Sequence, residues 1–457
     1  MSKIEVDAID KQSGSTLTLG GSGTAVTLAS GATQTGFGRT GTVDWQTSSI
    51  KTGTFTAVNG QGFFANTSGS AFTMNLPAGT AGNIVSVVDY TNTFQTNNLT
   101  VTPNGSQKIG GTNASATLST EGQSVTFVYV DDTEGWKNTM DSTSNAVGQS
   151  NISATGGTIT TSGDYKIHTF TGPGTFCVSS ISTTTFDNTI GYLVVAGGAS
   201  GGYGAAGGGG AGGYREGRNG PMGCFAASPL VANAPTNAVT LTVQGYPITV
   251  GGGGAANPYS GGAPNSGNQG SNSIFSSITS AGGGAAGGRG GAGSPGGSGG
   301  GWGGDSGHHD ESGTGNVPAT SPPQGQPGGA PTSPGPVSVA TCAGAGGGGA
   351  TAAGSSWPGS RGVGTSGGAG ATSSITASPV ARAGGGGGSA RTGPGPGSAG
   401  SGGTGGGGNG ANGPGPSTSQ PGGAGTVNTG GGGGGSATNS NGGAGGSGVV
   451  VIRYKFQ

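Results

Sequence analysis

The sharpest polar cluster in the sequence is "GHHDES" (307–312), where His308, His309, Asp310 and Glu311 offer imidazole and carboxylate groups of the kind that hold a transition metal. The spacing works against a chelate. Adjacent residues on an extended chain point to opposite sides, so one chain does not bring both imidazoles to one ion, although three copies could converge. The favoured reading is a solvated, receptor-facing loop, with no metal expected. A second acidic stretch, "VDDTEGW" (130–136), brings Asp131, Asp132 and Glu134 together but lacks the twelve-residue calcium-loop spacing. It reads as an acidic hairpin turn.

Catalytic constellations are thin. Histidine occurs at 168, 308 and 309, and no G-x-S-x-G serine stands beside a plausible base and acid. G-x-G-x-x-G strings abound, but in so glycine-rich a chain they arise by chance. A phosphate loop needs G-K-[ST], and no lysine falls between Lys166 and Lys455. No enzymatic activity and no cofactor are expected.

The residues that could make contacts are aromatic and cationic. Trp302, Trp357 and Tyr259 lie where glycine tracts meet polar stretches, with Arg361 close by. Exposed rings beside Gly, Ser and Asn have the composition of adaptable recognition loops. The same rings could equally cap the ends of a glycine stack.

The elements that must carry these residues fall into two compositional halves. Of 115 glycines, 26 lie in 1–196 and the rest follow, while only 29% of the 457 residues are hydrophobic and 7% charged. The net charge of −1 and scattered lysines leave no phosphate-binding face, so nucleic acid is excluded as a partner. The opening "MSKIEVDAID" has no apolar core of signal-peptide length, and no apolar run is long enough for a membrane helix, so membrane insertion is not expected. Cys177, Cys224 and Cys342 show neither disulfide nor zinc spacing and read as free thiols in a reducing cytoplasm.

Residues 1–41 contain "STLTLGGSGTAVTLASG", two short alternating strands about a glycine turn. Two strands are marginal alone, so this arm is expected to be stabilised by copies of itself or by a partner. Residues 42–141 alternate strand patterns with Asn-Gly, Glu-Gly and Pro-Ala turns, as in a small β-sandwich or jelly roll. Its expected core is Trp45, Phe64, Leu76, Val87, Phe127, Tyr129 and Trp136. Residues 142–164 read as a polar linker, and 165–457 as a β-segment followed by a glycine-rich domain.

Composition alone fits a disordered tether, but "AVTLTVQGYPITVGG", "SNSIFSSITSAGGG" and "TSSITASPVARAGG" carry strand patterns a tether does not use. Collagen is excluded because runs such as "GGGGGG" (430–435) break its period. Glycine loses more backbone freedom on folding than any other residue, so few apolar groups cannot order it. It does let extended backbones approach closely and hydrogen-bond to each other. Tracts with three residues per turn, rising about 3.1 Å per residue, would stack as polyglycine II. "YLVVAGG" and "GGSGVVVIRYKF", at opposite edges of the region, are predicted to pair and bring residue 194 to residue 450.

Three sets of motifs together resemble tail fibres of bacteriophages, especially those infecting marine cyanobacteria and related ocean bacteria. "MSKIEVDAIDKQSGSTLTLGG" is similar to the N-terminus that attaches such fibres to the virion, which implies contacts through Ile4, Val6 and Ile9. "GFGRTGTVDWQTSSIKTG", "GFFANTSGSAFTMNLPAGTAGNIVSVVDY" and "LSTEGQSVTFVYVDDTEGW" are similar to a β-domain recurrent in them. "IHTFTGPGTF", "YLVVAGG", "GGAGGYREG", "ITVGGGG", "NSIFSSITSAGGG" and "GGSGVVVIRY" are similar to their distal glycine-rich domain. The stretch 308–336 is longer and richer in proline than that framework.

The resemblance implies an all-β homotrimeric fibre of the virion tail, assembled in the host cytoplasm. Its partners would be itself, a tail or adaptor protein at the arm, and a host-surface polysaccharide or outer-membrane protein at the distal loops. Candidate receptor contacts are Trp302, His308, His309, Asp310, Glu311, Trp357, Arg361 and Tyr259. A structural spacer and a polysaccharide-degrading fibre remain the alternatives.

Overall fold

In the computed structural model the described residues are 42–142, 151–218, 225–258, 266–304, 311–332, 342–359, 362–392, 397–414, 420–437 and 439–456. They contain no α-helix, and the protein is all-β. The chain divides into two units, Met1–Gly148 and Gln149–Gln457.

The first unit holds β1 (Asp44–Trp45), β2 (Phe55–Thr56), β3 (Gln61–Ala65), β4 (Phe72–Asn75), β5 (Ile84–Asp89), β6 (Leu99–Thr102), β7 (Ala116–Leu118), β8 (Ser124–Asp131) and β9 (Gly135–Ser142). Two sheets, β1-β3-β5-β8-β9 and β2-β4-β6-β7, enclose one core. Alternation sets the faces: Phe63 and Ala65, Phe72 and Met74, Val85 and Val87, and Leu99 and Val101 all point inward. The sandwich holds, but the jelly-roll alternative does not. From β1 to β6 the chain passes back and forth between the sheets, and successive strands of each sheet pair parallel, β1 with β3 and β3 with β5, β2 with β4 and β4 with β6. Only β7, β8 and β9 add antiparallel pairs. Leu76, Val87, Phe127, Tyr129 and Trp136 are core residues as expected. Trp45 is not: β1 is an edge strand and its ring is 42% exposed, and Phe64 lies half-buried on the same outer side.

The second unit begins with β10 (Ser153–Thr155) and β11 (Thr158–Ser162), which fall inside the stretch read as a linker. β11 pairs with β12 and β10 with β13. All but one of the β11 residues in "TITTS" are exposed, so no apolar alternation marks the strand in sequence. There follow β12 (Tyr165–Phe170), β13 (Gly174–Ser180), a 3-10 turn (Thr185–Asn188), β14 (Gly191–Val195), β15 (Tyr214–Arg218), β16 (Val231–Asn233), β17 (Gly245–Thr249), β18 (Ser273–Phe275) and β19 (Ile278–Ser280). The last strands are β20 (Ala371–Ser373), β21 (Val380–Arg382), β22 (Ala390–Thr392), β23 (Asn412–Pro414) and β24 (Val449–Lys455).

A six-stranded sheet, β11-β12-β24-β14-β15-β16, packs on a five-stranded one, β10-β13-β17-β18-β19. β24 lies between β12 and β14, and its antiparallel register with β14 places Val450 opposite Val194, the predicted pairing. Both strands are buried on two faces. Tyr192, Val194, Val450, Ile452 and Tyr454 face the five-stranded sheet, while Leu193, Val195, Val449 and Val451 face Ala350, Ala371, Ile375 and Ala383 of the glycine-rich region. Such strands read as unbroken apolar runs, which is why "YLVV" and "VVVI" stand out. The glycine-rich chain therefore leaves from this sheet and returns to it.

Candidate functional site

Between these strands the tracts bond to one another with a period of three. In tract 207–213 the amides of Gly207, Gly210 and Gly213 donate to the carbonyls of Gly287, Gly284 and Ala281 at 2.8–3.1 Å. Those of Gly208 and Ala211 donate to Ala345 and Gly348, and those of Gly209 and Gly212 to Gly433 and Gly430. The carbonyls of this tract accept from three other segments: Ala199 and Ala196 donate to Gly210 and Gly213, Gly301 and Ser298 to Gly208 and Ala211, and Gly386 to Gly209. Every third residue faces the same neighbour, which is the three-residue turn of polyglycine II. Six tracts surround the central one, running in both directions. A side chain at Gly208 would put its Cβ onto the Gly386 carbonyl oxygen, and one at Gly433 onto that of Gly443. Glycine here is a requirement of the spacing between backbones.

The register fixes where each tract begins and ends. Tract 196–202 leaves β14, and 207–213 returns to β15, so residues 203–206 mark the end of the stack away from the sheets. Gly304 donates to Ala205, Ala205 donates to Ala437, and Arg391 donates to Cys342, three residues before Ala345, which accepts from Gly208. Gly442 donates to Asn257 beside Gly201, which donates to Gly443; Thr332 donates to Trp357; Thr392 pairs with Pro414; and Ser398 donates to Gly362. The described residues that flank 259–265, 305–310, 333–341, 360–361, 393–396, 415–419 and 438 therefore all sit at this distal end. The β-pattern stretches instead lie at the opposite end, as β17, β18 and β19 of the five-stranded sheet and as the β20–β21 pair.

Beneath the distal end lie Trp302 and Trp357, with ring centroids 5.8 Å apart and ring planes tilted by 37°. They are buried with Ala343 and Ala345 in a small apolar cluster, 1% and 2% exposed. As exposed receptor anchors both are corrected: the rings are interior packing between tracts. Trp302 Nε1 has no hydrogen-bond partner, so its ring is held by packing alone. Sequence context misled because the flanking residues are Gly, Ser and Pro, and these rings are covered by neighbouring tracts rather than by neighbours in sequence.

Of the remaining candidates, Glu311 is exposed at the distal end, its carbonyl accepting from the Gly293 amide at 3.2 Å. Tyr259, His308, His309, Asp310 and Arg361 lie outside the described residues, as do Ile4, Val6, Ile9 and Cys224. Among the described residues no cluster of three His, Cys, Asp or Glu side chains could hold a metal. Among the described residues Cys177 is exposed and Cys342 is buried. Sequence reasoning missed Tyr203, Arg289 and Arg391, which are half-buried at the distal end; the Arg289 amide donates to the Tyr203 carbonyl at 3.2 Å. Their signal was present: each is a large side chain in a run of Gly, Ala and Ser.

The acidic stretch is a hairpin turn between β8 and β9. Asp131 Oδ1 accepts the amides of Thr133 and Glu134 at 2.9 and 2.8 Å, Asp132 accepts the Tyr129 hydroxyl at 2.5 Å, and Glu134 pairs with Lys137 at 2.7 Å. Gly135 follows with φ +72°, a conformation that favours glycine.

Two polar groups anchor the base of the stack. His168 is fully buried; its Nδ1–H donates to the Gly156 carbonyl at 2.7 Å, which leaves Nε2 to accept from the Tyr454 hydroxyl at 3.1 Å. Burial pushes its pKa below the usual histidine value, with Lys166 adding to the shift against the opposing Gly156 bond, so the ring is neutral. Burial likewise pushes Tyr454 up to about 12. Glu216 on β15, 2% exposed, accepts from the Tyr214 hydroxyl, the Ser228 amide and the Ser373 hydroxyl at 3.1, 2.9 and 2.6 Å, tying β15 to β20. Its three donors satisfy the carboxylate in place. These contacts brace the frame.

Residues 171–455 match the family described as a glycine-rich domain. A search of curated proteins found no match.

Proposed function

The chain belongs to this family of glycine-rich domains, and we propose that it is a non-enzymatic bacteriophage tail fibre whose distal tract ends present loops to the host surface. The observation that carries this reading is the gathering of the tract ends at one end of the stack. A rigid hydrogen-bonded frame holds the roots of many loops side by side, and loops on such a frame are where binding residues concentrate. Glu311, Tyr203, Arg289 and Arg391 at that end are the described contact candidates, with Tyr259, His308, His309, Asp310 and Arg361 in or beside the intervening segments. The receptor would be a surface polysaccharide or outer-membrane protein. The first forty-one residues would join the fibre to the virion tail, through Ile4, Val6 and Ile9, in a homotrimer. Weak single contacts multiplied by three chains and many fibres would give firm attachment.

The test uses the purified full-length protein. It should adsorb to host cells and block infection, and exchanging 305–310 or 333–341 for Gly-Ser of equal length should reduce adsorption while leaving thermal unfolding unchanged. A folded protein that neither adsorbs nor competes contradicts the proposal.

A further inference from the structure

The first unit carries an aromatic row that its own described residues leave uncovered. Trp45 on β1, Phe64 on β3 and Tyr90 just after β5 lie on the outer side of the five-stranded sheet, with ring centroids 5.3 Å and 6.2 Å apart. Trp45 is 42% and Tyr90 53% exposed, and Phe64 half-buried. The Trp45 ring occupies the space that a side chain at Gly62 would fill. The rings are inclined to one another by 44° and 79°, so they form ridges and clefts, not a flat platform. Clefts of that kind suit aliphatic side chains. β1 is also the edge of its sheet, with β3 on one side and no strand among the described residues on the other.

The described structure begins at Thr42, two residues before β1, so whatever precedes it starts beside this row. Before it stand 41 residues whose apolar positions alternate, Leu17 and Leu19, then Val26 and Leu28, about the turn Gly20–Gly23. Alternation puts each pair on one face. The intervening residues 29–41 include four glycines and reach at most roughly 47 Å, well beyond the length of the aromatic row. Natural sheets cover exposed edges and apolar patches. We propose that residues 15–28 of the same chain lie across Trp45, Phe64 and Tyr90, with Leu17, Leu19, Val26 and Leu28 seated among the rings. This clamps the root of the arm and leaves residues 1–12 free. It does not depend on the fibre reading.

Tryptophan fluorescence reads this directly. Of the four tryptophans, Trp136, Trp302 and Trp357 are buried to 2% exposure or less, so Trp45 dominates quenching by acrylamide. In the full chain Trp45 should be shielded at every protein concentration. Deleting residues 1–30, or making Leu17→Ser with Leu19→Ser in the full-length chain, should raise its quenching constant severalfold. Trp45→Phe should abolish the responsive component. If the shortened Trp45→Phe chain shows quenchable buried tryptophans, the deletion has unfolded the unit, and the full-length serine variants decide. Equal quenching with and without the apolar residues overturns the proposal. So does shielding that appears only as concentration rises, because the occupant is then a second copy.

Discussion

Gly208 and Gly252 carry the same side chain and opposite expectations. A Cβ at Gly208 meets the Gly386 carbonyl, whereas at Gly252 it meets nothing within 4 Å. Gly208→Ala should destabilise the second unit by about 1–3 kcal/mol, the usual cost of overpacking. Gly252→Ala should be neutral or stabilising by about 0.4–1 kcal/mol, because alanine has less freedom to lose. Denaturant titrations of the two variants check both signs. Trp302 gives a second contrast. Trp302→Ala empties a packed site and should cost about 3–5 kcal/mol, while Trp302→Phe should cost less, since it keeps an aromatic ring in the site and the indole N–H it removes makes no hydrogen bond. His168 sets a pH dependence. Its folded pKa lies below the unfolded value near 6.5, so its share of stability is complete above about pH 6.5 and declines as the pH falls toward the folded pKa. Unfolding midpoints measured between pH 7.5 and 5 should show that decline, and His168→Gln should flatten it.

β24 is the element on which the second unit turns. It pairs with β12 on one side and β14 on the other, and it belongs to the apolar clusters on both faces of the sheet. Val450→Asp places an unpaired charge at a fully buried position and should cost about 3–5 kcal/mol, read as a fall in thermal midpoint and faster proteolysis of the glycine tracts. This pairing was legible in the sequence because a doubly buried strand has to be apolar throughout, and "YLVV" and "VVVI" are the runs that meet that demand. Other elements were less legible, for identifiable reasons. Alternation in β3 to β6 showed which side chains face inward, but it carries no information on strand direction, so the parallel winding of the first unit could not be told from a jelly roll. β11 has no buried face to mark it. Trp302 and Trp357 were misjudged because their cover comes from distant tracts, and the Gly, Ser and Pro residues beside them in sequence gave no apolar signal. Which tract ends gather at the distal end was also not legible, since it follows from tract directions that only the hydrogen-bond register reveals.

The whole molecule combines two ways of ordering an all-β chain. The first unit does so in the ordinary manner, by enclosing Phe63, Met74, Val87, Leu99 and Trp136 between two sheets. In the second, two sheets supply an apolar base, and above it order comes from backbone hydrogen bonds between tracts, each contributing a net of about 1 kcal/mol. Toward the distal end of that frame the apolar side chains that pack together reduce to the small cluster of Trp302, Trp357, Ala343 and Ala345. The account stands or falls on whether the glycine tracts are bonded to one another. Amide hydrogen exchange, followed by mass spectrometry on peptides covering 207–213, 384–389 and 430–436, measures that directly. These tracts should exchange as slowly as β14 and β24, and in a cooperative step with them. Exchange of the glycine amides at the rate of an unstructured chain, while β14 and β24 stay protected, would contradict it.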